Sequence, residues 1–434
     1  MNDLLENFSE ATRSEKGLSF RANQRFGGVS CRVTSTDAIE ALSCLPSSQV
    51  SQITSLSFSG VDNERVTGFL SSFCSDLCEL SVSGAGLTAR GSSWSHGCNV
   101  IQISMDHSED FFTQIRRYRS LRVLRLANNR LSNRGLSLLG GLENLTGLDL
   151  SGNEISKLSG ISSMSALKRL NLSNNNLSAE NLWPLGSLES LATLNLSGNP
   201  LTSGGVSRFY ENLENPISGL SKLSVASCGL ESASFLRFFP SIEKLVISRN
   251  PGITGLGRSI TSLGNLSSLE AVGISLTKDS ARSLANQSKL MKLDLRRTVG
   301  ALEVVRNIEG LSGLQVLRVD GVGQSEARLI GKLVELRRLT LNNGGMGNEG
   351  VSMLSQIGGL TQLSLSNQQL DDGVVTHLIR LGRLRSLTLS HNALKGESIE
   401  ELRGLGELIK LSLISNPLEK RSWEGLSDRL NVLI

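Results

Sequence analysis

Two neighbouring stretches decide the fold: LRVLRLANNRL, from Leu121 to Leu131, and LTGLDLSGNEI, from Leu145 to Ile155. LKRLNLSNNNL follows from Leu167 and LATLNLSGNPL from Leu191. All four fit the frame LxxLxLxxNxL. A fixed period is the first thing to test in a long chain, because it decides the architecture. Working outward, the frame fits sixteen times. First positions fall at Ile53, Leu77, Cys98, Leu121, Leu145, Leu167, Leu191, Leu220, Ile242, Leu269, Leu290, Leu314, Leu336, Leu360, Leu384 and Leu408. The mean interval is about 23.7 residues, inside the range of solenoid repeats. Two intervals are longer, Leu191 to Leu220 and Ile242 to Leu269.

The frame has a physical meaning. The last two leucines of LxxLxL are two residues apart, so they lie on one face of a short strand and point inward, while the residues between and after them point out. A turn follows, then apolar residues at helical spacing, as in Leu136, Leu139, Leu142 and Leu145. One repeat cannot bury its own leucines. Stacking lets each neighbour cover them, and the product is a solenoid with a parallel sheet on one side.

Composition agrees. Leucine supplies 77 of 434 residues, while aromatics are only 4%, so one aliphatic side chain fills the core. Charged residues make up 19% and the net charge is +4, which suits a globular protein and does not point to nucleic acid, where a concentrated basic face is expected. No apolar run reaches the roughly 18 residues of a membrane span. The opening MNDLLENFSEATRSEKGLSF lacks the pattern of a standard signal peptide. Six scattered cysteines do not form a disulfide framework.

These repeats resemble the leucine-rich repeat superfamily over roughly residues 53–420. Copies of 24 residues with tails such as LSNRGLSLLGGL are similar to the intracellular and bacterial type. Shorter copies lean towards the 22-residue phosphatase-regulator class, whose closing cap the stretch from Asn416 loosely resembles. The resemblance implies an α/β fold: a right-handed solenoid, or horseshoe, with a parallel concave sheet and a helical or 3-10 convex side. The expected organisation is an N-terminal cap or flexible leader at 1–52, repeats at 53–419 and a C-terminal cap at 420–434.

The asparagine of the frame has its own task. Its side chain both donates and accepts, so it can satisfy buried backbone groups of consecutive turns. Asn129, Asn153, Asn175, Asn199, Asn250, Asn392 and Asn416 occupy this slot, and Cys228 takes it once, a substitution known in the family. From Leu269 to Leu336 the slot holds Thr277, Thr298, Val322 and Gly344. The expectation there is a weaker ladder and local irregularity. Before the repeats, Asp3–Ala11 reads as a short helix, Val29–Val33 as a strand, and Thr36 or Asp37 as the cap of a helix running to about Leu45. Residues 1–20 read either as part of a cap or as an export signal. Phe209 and Tyr210, in the long seventh repeat, read as core of a lengthened convex segment or as an exposed anchor.

No nucleophile elbow, phosphate-binding GxxxxGK[ST] or HExxH is present, and the four histidines form no recognisable constellation. Cys74, Cys78, His96 and Cys98 mimic a zinc set, but Cys74 and Cys98 fall where the frame puts core residues. No cofactor, metal or catalytic residue is expected. The outward strand residues are neutral at first: Ser55, Ser57, Ser59, Ser81 and Ser83, then Asp149 with Ser151 and Asn171 with Ser173. Lys244, Arg249, Lys292, Asp294, Arg296, Arg297, Arg318, Asp320 and Arg338 follow. These nine form the candidate partner-binding patch. Arginine is enriched at binding hot spots, so the expected partner is a protein with an acidic surface; the competing reading pairs the arginines and aspartates among themselves. The expected function is a non-enzymatic interaction scaffold or adaptor, cytoplasmic, with no nucleic acid or membrane partner. The alternatives are a bacterial effector delivered to a host cell by a non-classical route and a leucine-rich-repeat GTPase activator.

Overall fold

LxxLxL becomes a short strand in nearly every repeat of a computed structural model of the 434-residue chain. The structure describes residues 18–22, most of 29–59, 66, 69, 70, 79–83, 112, 115–202, 217–419 and 430–433. The chain divides into two compact units, 1–228 and 229–434.

In the first unit β1 (Leu18–Ala22) pairs antiparallel with β2 (Val29–Val33). The rest of the sheet is parallel: β2, β3 (Ile53–Ser59), β4 (Glu79–Ser83), β5 (Val123–Arg125), β6 (Gly147–Asp149), β7 (Arg169–Asn171), β8 (Thr193–Asn195) and β9 (Lys222–Ser224), each beside the next. The sequence places one of the sixteen copies at Cys98. That copy lies outside the described residues, and its flanking strands β4 and β5 pair directly with each other. CNVIQIS has the apolar spacing, but its ladder slot is Asp106, not asparagine.

The second unit repeats the arrangement: β10 (Lys244–Val246), β11 (Ser268–Glu270), β12 (Lys292–Asp294), β13 (Val316–Asp320), β14 (Arg338–Asn342), β15 (Gln362–Ser364), β16 (Ser386–Thr388), β17 (Lys410–Ser412) and β18 (Asn431–Leu433), all parallel neighbours. Each unit is thus an α/β solenoid. Its core is a stack of aligned leucines: Leu124, Leu148, Leu170 and Leu194 in the first unit, Leu245, Leu269, Leu293 and Leu317 in the second, all buried.

The other side of each coil is helical. Leu136, Leu139, Leu142 and Leu145 are buried as their spacing predicts, on a helix at Asn133–Leu138 and the turns after it. Ser132 caps that helix by accepting the Arg134 N–H. Pro184 opens a 3-10 helix, Trp183–Ser187, where its missing N–H costs nothing. In the second unit longer α-helices appear, among them Lys278–Ala285, Gln324–Ile330 and Gly347–Leu354.

The asparagine ladder forms as its chemistry requires. Asn153 accepts the N–H groups of Asn129 (3.0 Å) and Leu131 (2.8 Å) and donates to the carbonyls of Leu126 and Leu150, both at 2.8 Å. Asn175, Asn199 and Asn392 repeat the pattern.

The stretch from Leu269 to Leu336 corrects the expectation of irregularity: β11 to β14 pair residue for residue with no shift. Substitutes hold the backbone. The Thr298 hydroxyl donates to the Ala271 carbonyl at 2.6 Å, the bond an asparagine would make. Leu269 pairs with Leu245 and Leu293, so its repeat begins at Leu266 rather than Leu269, the interval from Ile242 is not long, and the slot is Ile274. Thr277 caps the helix at Lys278–Ala285. Gly344 leaves room for the buried Gln368, whose longer side chain donates to the Leu341 carbonyl at 2.8 Å. Asp3–Ala11, Phe209 and Tyr210, Cys74, Cys78, His96 and Cys98 lie outside the described residues.

Candidate functional site

A parallel register turns the sequence frame into columns across the outward sheet face. In the second unit the first column runs Lys244, Ser268, Lys292, Val316, Arg338. The next runs Val246, Glu270, Asp294, Arg318, Thr340. Arg296 and Asp320 belong to a third, two residues further along. All nine residues singled out in the sequence therefore fall on five adjacent strands or the turns after them, a span of about 19 Å at ~4.8 Å per strand.

They do not behave as one basic patch. Asp294 is buried and clamped. Arg296 binds it through Nε (3.0 Å) and Nη2 (2.7 Å), and Arg318 reaches it from the next strand at 3.2 Å. The bond to Asp294, helped by the nearby Asp320 and Glu270, holds the Arg296 guanidinium above its ordinary pKa against a lowering by burial. Asp320 accepts the backbone N–H of Arg297 at 3.0 Å. The centre of the face is thus internally compensated, as the competing sequence reading anticipated. Outside it, Lys244, Lys292 and Arg338 are exposed and make no ion pair among the described residues. On these strands and turns seven cations face three carboxylates, Glu270, Asp294 and Asp320.

Arg249 and Arg297 occupy an unusual position. Both sit seven residues after a repeat start, where the chain turns with positive φ, 59° for Arg249 and 55° for Arg297. The same position holds Asn128, Gly152, Asn174, Gly198 and Ser227 in the first unit, and Gly273, Gly321, Asn343, Asn367, His391 and Ser415 in the second. Gly273 is counted from Leu266, because Leu269 pairs with Leu245 and Leu293 and so holds the fourth position of its repeat. Glycine and asparagine suit this geometry; another residue there costs about 1–2 kcal/mol. In the first unit the alternation has a steric cause. A Cβ on Gly152 would meet Asn128 Oδ1 at 2.0 Å, and one on Gly198 would meet Asn174 Oδ1 at 2.2 Å. Each asparagine packs over the next glycine.

Sequence reasoning missed a second feature, on the outward face of the first unit. Gly147, the first residue of β6, leaves a depression of about 340 Å³ between Val123 and Arg169, reaching Asn171, Thr193 and Asn195. A lone glycine at an outward position carries no pattern, so only the register reveals the gap. Among the described residues no group of three or more histidine, cysteine or acidic side chains is placed to hold a metal, and no helix is long and apolar enough to cross a membrane.

Comparison with known proteins bears on this architecture. Three family models, each described as leucine rich repeat, match residues 119–177, 187–209 and 383–405. A search of curated proteins gives no match. Among solved structures the chain is similar to mouse RP105 in its complex with MD-1 (18% identity, 91% of this chain, 67% of that one, TM-score 0.56). It is similar to TLR13 in complex with ssRNA13 (18% identity, 91% of this chain, 63% of that one, TM-score 0.51). An internalin, InlF, from Listeria monocytogenes aligns with 18% identity over 92% of this chain and 93% of its own, at a TM-score of 0.48. At such identity the first two likenesses speak to the fold alone. The matched repeats, the aligned leucines and the asparagine ladder make this chain a leucine-rich repeat protein.

Proposed function

We propose that the chain is a non-enzymatic protein-interaction scaffold whose outward strand face at residues 244–338 binds a protein with an acidic surface. The observation that carries this is the pair Arg249 and Arg297. Both hold a backbone geometry that glycine would adopt without cost, and both are exposed. Ser227, His391 and Ser415 share the geometry, but among the described residues these two positions alone keep a long cation there, each beside a repeat that has glycine, Gly273 or Gly321. Strain kept at exposed, charged positions points to a use for the side chain. The exposed Lys244, Lys292 and Arg338 add charge of the same sign. RP105, seen with MD-1, is an example of this fold beside a protein partner. TLR13, seen with ssRNA, makes RNA the competing ligand. The three carboxylates among the cations oppose a phosphate backbone, which favours protein.

The test is Arg249→Gly with Arg297→Gly. Relief of strain raises stability by about 1 kcal/mol per site, read by urea unfolding. Retention of the partner, captured from lysate by the parent, falls. Unchanged retention in the more stable variant contradicts the proposal, as does retention of RNA in place of protein.

A further inference from the structure

The depression at Gly147 is a built feature of the first unit, and the hydrogen bonds around it give it a chemical sign. Val123, Gly147, Arg169 and Thr193 stand side by side on β5 to β8, and Asp149, Asn171 and Asn195 form the next column. Asn171 accepts from the Ser173 backbone N–H (3.2 Å) and hydroxyl (2.9 Å) through Oδ1. Asn195 Oδ1 accepts the Ser197 N–H at 3.1 Å. With both oxygens engaged, each amide keeps its Nδ2 donors, which have no partner among the described residues. Asp149 Oδ1 is likewise occupied, by the Ser151 N–H and hydroxyl at 3.0 and 2.7 Å, and Asp149 faces Arg125 across the strands. The Arg169 guanidinium leans over Gly147: Nη2 lies 3.6 Å from where a Cβ would stand. Arg169 is exposed and makes no ion pair among the described residues. Around the gap, donors outnumber acceptors.

We infer that this depression takes the carboxylate of an acidic side chain, aspartate or glutamate, from a bound polypeptide. The carboxylate pairs with Arg169 and receives the Asn171 and Asn195 amides, while its methylenes lie over Gly147 and against Val123. At about 340 Å³ the depression lies at the small end of the range for ligand pockets, and it opens onto the sheet face, where a side chain of a bound polypeptide can enter it. The inference rests on the reading that the sheet face recognises a polypeptide, but it concerns other residues in the other unit, so the two fail separately.

The experiment is NMR titration of the full chain with two capped peptides, acetyl-Ala-Glu-Ala-amide and its Gln counterpart, and with acetate. The amides of Gly147 and Thr193 report. The glutamate peptide shifts both saturably, and the glutamine peptide binds about tenfold more weakly, the loss expected for a charge-assisted hydrogen bond. Arg169→Gln lowers affinity for the glutamate peptide by a similar factor. Gly147→Val fills the gap and abolishes binding, read at Thr193. It suits a strand, and its Cβ meets Val123 at an ordinary 3.5 Å, so the unit stays folded. Four results overturn the inference: no shift, equal binding of the two peptides, acetate binding as tightly as the glutamate peptide, or affinity unchanged in both variants.

Discussion

Replacing Asn153 by alanine removes one rung of the ladder and leaves the leucines in place. The buried side chain accepts two backbone N–H groups and donates to two carbonyls, all at 3.0 Å or less. Each bond contributes about 1 kcal/mol net, and a buried group left unpaired costs about 1–3 kcal/mol. Water entering the gap recovers part, so the expected loss is about 3–4 kcal/mol, a large share of a typical domain's stability. Asn153→Cys separates donor from acceptor. Cys228 shows what a thiol does in this slot: its Sγ lies 3.3 Å from the Leu196 carbonyl. A cysteine at 153 keeps a weak donor and satisfies neither N–H, so about 2 kcal/mol is lost. The assay is hydrogen exchange at the Asn129 and Leu131 amides, with urea unfolding beside it. In the alanine variant both amides exchange more than a hundredfold faster, since about 1.4 kcal/mol is a factor of ten. A loss under about 1 kcal/mol, or protection of Leu131 unchanged, would refute the view that the ladder holds the turns.

Other substitutions probe the packing and the charges. Gly152→Ala costs about 2 kcal/mol or more, from positive φ and the collision with Asn128 Oδ1, and Asn128→Gly in the same chain recovers the steric part; urea midpoints of the single and double variants decide. Gly344→Ala loses about 2–3 kcal/mol by the same measure, because its Cβ would stand 2.2 Å from the Val322 carbonyl oxygen. Glu326 is buried; burial alone would raise its pKa, but hydrogen bonds from Ser325 and Arg306 hold it below the ordinary glutamate value. Its stabilisation is present above the unfolded pKa, about 4.3, and disappears as pH falls through the lower folded value. Glu326→Gln therefore flattens that part of the acid limb in urea midpoints measured across the acid range. Burial pushes the Cys31 thiol up to about 12, so a thiol reagent at pH 8 labels it only after unfolding, read by peptide mass spectrometry.

The repeat frame was legible because its constraints are local and recur. Leu124, Leu148 and Leu170 point inward by alternation alone, and Asn153 and Asn175 declare themselves by position. Gly147 was illegible, since an outward glycine matters only through its neighbours Val123 and Arg169, fixed by register. The clamp on Asp294 was visible only as one of two options: sequence placed Arg296 and Arg318 nearby but could not choose between pairing and a free basic face. The stretch holding Thr298 and Gly344 misled for another reason. A hydroxyl at Thr298 and the longer Gln368 make bonds that an asparagine rule does not foresee. Arg249 and Arg297 looked like ordinary surface charge; their strain belongs to the backbone.

The most direct measurement of the central claim is partner affinity after reversal of the exposed column: Lys244→Glu, Lys292→Glu and Arg338→Glu together. The control is Lys278→Glu on the helical side, at the first position of its helix. Three cation pairs at about 1 kcal/mol each correspond to a loss of about a hundredfold or more for the triple variant, with the control unchanged. Full affinity in the triple variant, or loss in the control alone, would place recognition away from the strand face and contradict the account.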